Sequence, residues 1–154
     1  MKDILKLLIF AVLLTPITLR AQENQVPKYV VVHSELESAS VVKLQIKTFS
    51  KDKNTVDADA QRAAIRTILF DGIPETQYRK PMLNDGEKTL TEQHPIYFNK
   101  LFNDRYTDFI IEYSMLSKFK KADKDKSTLY EVRVKILQLR KDLEKNNIRK
   151  QIGI

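Results

Sequence analysis

The chain has no cysteine and no tryptophan, and its 154 residues include only three glycines and two histidines. Without cysteine no disulfide forms and no lipid can be attached to a mature N-terminal Cys. An oxidising compartment is allowed but unused. A thiol nucleophile is excluded, and no Gly-x-Ser-x-Gly turn exists to present a serine. Gly72, Gly86 and Gly153 are too dispersed for a phosphate-cradling loop. His33 and His94 fall in no H-x-x-x-H or H-E-x-x-H spacing. A zinc site would have to gather them across space with Glu35 or Glu92; His94 before Pro95 reads more simply as a helix entry. The sequence therefore points to a non-catalytic protein with no cofactor and no metal.

Long apolar runs are equally scarce. The single one, Leu7–Leu19, follows Lys2 and Lys6 and exits through Arg20 and Ala21. Thirteen helical residues rise about 20 Å, too little for a hydrocarbon core of about 30 Å. A charged start, an apolar centre and a small-residue exit are the pattern of a secretory signal peptide. Residues 1–21 are expected to be removed between Ala21 and Gln22, leaving an exported mature chain, periplasmic or extracellular, with no transmembrane span. Residues 22–28 read as a flexible leader, and 29–154 as a single domain.

Acidic residues are outnumbered, 20 against 27 Lys and Arg, for a net charge of +7. Loss of Lys2, Lys6, Arg20 and Asp3 with the signal lowers this by two. A modest positive charge permits contact with anionic surfaces and requires none. The one dense basic cluster is Lys118, Lys120, Lys121, Lys124 and Lys126, with Phe119 inside it. It is a candidate for gripping an anionic polymer or membrane surface. Export argues against nucleic acid, and a solvated hairpin tip that discourages edge pairing explains the same residues. Asp123, Asp125 and Ser127 mimic the start of a calcium loop, but Thr128 stands where its glycine belongs and Val134 where its glutamate belongs.

Apolar periodicity gives the architecture. Tyr29–His33 is β-branched and apolar, a strand, and Glu35–Ser40 a polar connection. In Val41–Phe49, Val42, Leu44, Ile46 and Thr48 share one side and Lys43, Gln45 and Lys47 the other, a half-buried strand. Asp57–Phe70 carries Ala60, Ala64, Ile65, Ile68 and Leu69 on one stripe, a helix with Thr55 or Asp57 as cap, Asp57 and Asp59 as first-turn acids, and Gly72 at its end. Ile73–Glu92 reads as a long irregular loop, a length often tied to function. Pro95 opens a short helix. Tyr106–Lys118 reads as a long strand with Phe109, Ile111, Tyr113 and Met115 on one face. Thr128–Ile136 returns with Tyr130, Val132, Val134 and Ile136 inward, and an amphipathic helix runs from Leu137 to about Asn146. Residues 148–154 either dock or fray. The order β-β-α-loop-α-β-β-α, with one wet sheet face, implies an α+β two-layer sandwich: a mostly antiparallel sheet with helices on one face.

The alanine helix and its glycine stop, "VDADAQRAAIRTILFDGIP", and the terminal "LRKDLEKNNI" resemble small exported α+β domains of bacterial envelope proteins. These are of the kind found in LPP20-type lipoproteins and in the N-terminal domain of the flagellar protein FlgT. The Ala-Gln exit and the Lys/Asn/Ile-rich composition resemble secreted proteins of Bacteroidetes. The chain departs from the pattern in lacking the lipid-attachment cysteine, and in placing Ser50–Asn54 where glycines are often found. The resemblance implies an envelope interaction or assembly role with no catalytic residues. The partner is then another envelope protein, met through the 73–94 loop, the sheet's exposed edge or the basic tip.

Overall fold

A computed structural model describes residues 28–49, 54–117 and 127–149. The expected signal segment 1–21, most of the expected leader 22–28, the Lys118–Lys126 cluster and residues 150–154 lie outside them. Four strands form one sheet: β1 Tyr29–Ser38, β2 Val41–Thr48, β3 Ile110–Ser117 and β4 Thr128–Lys135. They lie in the order β1-β2-β4-β3 with every neighbouring pair antiparallel. Two hairpins thus stand side by side, joined through their second strands. The helices are α1 Val56–Arg66, α2 Glu87–Gln93, α3 Pro95–Asn103 and α4 Ile136–Lys145. The α+β fold with its antiparallel sheet is as the periodicity requires.

Strict alternation makes β2 and β4 the spine. Val42, Leu44, Ile46, Val132 and Val134 are fully buried on one face, with Tyr130 almost so. Each such side chain contributes about 1.5–3 kcal/mol. The alanines of α1 let its backbone approach this face: Ala60, Ala63 and Ala64 are wholly buried, and the helix lies over β2 and β4. The opposite face is charged. Lys43 pairs with Glu35 at 2.6 Å, holding the Glu35 carboxyl below its ordinary range through a hydrogen bond from the ammonium. Arg133 grips both oxygens of Glu37 (2.9 and 2.8 Å) and also reaches Glu112 at 3.0 Å, so one β4 side chain ties both outer strands together.

Several boundaries differ from the sequence expectation. β1 continues to Ser38, because Leu36 returns inward opposite Val42 after irregularities at Val32 and Glu37 break the alternation. The α1 segment ends at Arg66 and passes into a π turn, Thr67–Asp71. Thr55 sits at the cap position, but its hydroxyl donates to the Asp59 carboxylate (3.2 Å) rather than capping the backbone. The region read as an irregular loop ends in α2, whose single buried residue, Leu90, is too little to show a period. The expected Tyr106–Lys118 strand begins only at Ile110, after a 3-10 turn over Arg105–Phe109. Ile111 is then the extra residue of a bulge, so Ile110, not Ile111, shares a face with Tyr113 and Met115. Ile136 is the first residue of α4, its N–H donating to the Ser40 carbonyl at 2.9 Å. Asn147, at φ 57, ends α4 in a Schellman turn, with Ile148 N–H on the Leu143 carbonyl at 2.9 Å. Ile148 therefore docks.

Candidate functional site

The sheet's inner face is roofed unevenly. α1 covers β2 and β4. Over β1 the roof is the segment after α1, tied down by Tyr29 Oη donating to Asp71 (2.9 Å), Ser34 Oγ to the Pro74 carbonyl (2.8 Å) and Tyr78 Oη to the Ala39 carbonyl (3.1 Å). Gly72 lets that segment turn. Its φ is +81, and an added Cβ would stand 2.1 Å from the Arg79 carbonyl oxygen. Ile73 and Leu83 anchor the same segment in the core. The 73–94 region is thus anchored in the core at Ile73, Leu83 and Leu90, with most of its other residues exposed.

Nothing among the described residues covers β3 in this way. Tyr113 and Met115 face inward yet remain 45% and 47% exposed, and the bulge residues Ile111 and Leu116 are 42% and 46% exposed. Tyr113 and Met115 thus leave apolar surface open on the inner face, and Ile111 and Leu116 add exposed apolar side chains at the two irregularities. A cleft of about 380 Å³ runs beside them, between Gln61 of α1 and Ile110–Tyr113. The outer edge of β3 carries backbone N–H and C=O groups with no strand neighbour among the described residues. Apolar side chains beside an open ladder are what an added strand requires.

The other sequence candidates fall elsewhere. Lys118, Lys120, Lys121, Lys124 and Lys126 lie outside the described residues, as does most of the calcium-like stretch. His33 is exposed on β1, and His94 is the shared residue between α2 and α3. Among the described residues no three His, Asp or Glu side chains are grouped to hold a metal ion, and no helix is long and apolar enough to cross a membrane. Asp57 accepts the Tyr130 hydroxyl, and Asp59 pairs with Arg62 at 3.4 Å. The aromatic residues between Tyr97 and Tyr113 mainly belong to the core. Phe98, Phe102 and Phe109 are buried, and Phe70 packs on Phe98 and Phe102 with centroids 5.9 and 6.5 Å apart. Only Tyr113 of that stretch joins the open patch. Compared with known proteins, the chain matches no family model, no curated protein and no solved structure.

Proposed function

We propose that the protein is an exported, non-catalytic interaction module of the cell envelope that binds another envelope protein by accepting an extended segment along β3. The observation that carries this reading is that the inner face of β3 is left open at Tyr113 and Met115, with Ile111 and Leu116 exposed at its irregularities, whereas the segment after α1 is bonded across the inner face of β1. The signal-like residues 1–21 and the resemblance to small envelope domains support the location. Main-chain pairing would supply affinity, and the cleft beside Tyr113 the choice of sequence.

A photo-crosslinking residue at position 113 or 115, expressed in intact cells, tests it. The expected product is one envelope protein attached through an extended segment, in a yield that moderate salt does not change. No product above that from a control at position 47 on the outer face overturns the proposal. The alternative reading is contact with an anionic polymer or membrane surface through Lys118, Lys120, Lys121, Lys124 and Lys126. It takes over if surface binding is lost between low and moderate salt and on charge reversal of Lys120 and Lys121.

A further inference from the structure

A second cleft, of about 520 Å³, opens where the break between α2 and α3 faces the end of α4. Pro95 creates the break. It forbids His94 a helical ψ, so His94 closes α2 (its N–H on the Leu90 carbonyl, 2.9 Å) and starts α3 (its carbonyl accepting Phe98 N–H, 3.2 Å). The Schellman turn at Asn147 brings Asn146 and Ile148 to the opposite wall. The floor is fixed by Asp142, which accepts from Tyr97 Oη at 2.8 Å and from Arg105 at 2.7 Å.

We propose that this cleft binds the carboxylate end of a peptide whose last residue is aliphatic. Three features define that ligand. The first is charge: Lys100 and Arg105 line the cleft, no carboxylate does, and Lys100 has no ion pair among the described residues. Asp142 and Asp108 already draw on Arg105, so Lys100 supplies the uncompensated charge, matched to a monoanion rather than a polyanion. The second is an apolar lip: Ile96 is 76% exposed, a large aliphatic side chain held out on the first turn of α3 opposite Ile148. The third is a pair of carboxamides, Gln93 and Asn146. Asn146 Nδ2 is spent on the Asp142 carbonyl at 2.8 Å, which leaves its oxygen to accept an N–H from the ligand. A peptide offers that N–H, and a fatty acid does not. The site is separate from the β3 edge, so either proposal can fail without the other.

The test is a titration of the mature chain, residues 22–154, followed by amide NMR shifts, with N-acetylglycylisoleucine, its C-terminal amide and decanoate. The free carboxylate should give saturable shifts at Ile96, Tyr97, Asn146 and Ile148, and the amide should bind at least tenfold more weakly. Lys100→Met, an exposed change that leaves the melting curve in place, should weaken the carboxylate at least fivefold. Met115→Lys should not alter it. Absence of saturable shifts, equal binding of the amide, or tighter binding of decanoate overturns the proposal.

Discussion

Arg66 is 4% exposed, and its environment allows a sharp prediction. Its Nε donates to Glu87 at 2.8 Å, its guanidinium carbon sits 4.0 Å from the Phe102 ring centroid, and one terminal nitrogen has no hydrogen-bond partner. Removing Glu87 strands a buried cation, which typically costs about 3–5 kcal/mol. Glu87 is 28% exposed, so water compensates part of that loss. Glu87→Ala should therefore cost about 2–3 kcal/mol, including about 0.5 kcal/mol from the lost acid in the first turn of α2. Arg66→Met removes both the charge and the orphan N–H while keeping an apolar stem on Phe102. It should fall within about 1 kcal/mol of the parent. The double variant should fall only about 0.5 kcal/mol below Arg66→Met alone, the share of the first-turn acid, because Glu87 then has no buried cation left to neutralise. With an m-value of about 1.5 kcal/mol/M, urea unfolding followed by circular dichroism should show the midpoint about 1.5 M lower for Glu87→Ala. If Arg66→Met loses as much as Glu87→Ala, the pair is a net stabiliser and the reasoning is wrong.

Four further outcomes follow from the geometry. Gly72→Ala should destabilise by about 3 kcal/mol or more, because strain at positive φ is joined by collision with the Arg79 carbonyl. Gly86→Ala, at φ +76 in open space, should cost about 1–2 kcal/mol in the same urea assay. Asp142→Ala should cost about 2 kcal/mol through its bonds to Tyr97 and Arg105, against less than about 0.5 kcal/mol for the exposed Asp108→Ala, in thermal melts. The hydroxyls of Tyr29, Tyr97 and Tyr130 are all pushed up, first by burial and then by the carboxylates of Asp71, Asp142 and Asp57. Above about pH 10 the unfolded chain gives up protons that the folded chain keeps. Stability should therefore fall as pH rises past 10, and absorbance at 295 nm should show these three tyrosines ionising only on unfolding. Parallel stability at pH 9 and pH 11 would contradict this.

The centre of the sheet was legible in the sequence and its margins were not. β2 and β4 alternate without a break because both of their neighbours are strands, so every inward position is buried. The edge strands carry irregularities, and each extra residue reverses the pattern by which inward positions are read. That is why plain alternation puts Leu36 in a connection and Ile111 on the wrong face. The exposure of Tyr113 and Met115 could not be read at all, since it depends on how far α1 extends sideways. The second cleft was hidden for a similar reason: residues 93–105 meet residues 146–148 only through the Pro95 break and the turn at Asn147.

The two irregularities of β3 leave just Glu112 to Met115 straight between them. Four residues span about 13 Å, long enough to hold a visitor and too short to template a growing ribbon of identical chains. At this margin the geometry would admit the proposed partner segment while limiting edge-to-edge growth of identical chains.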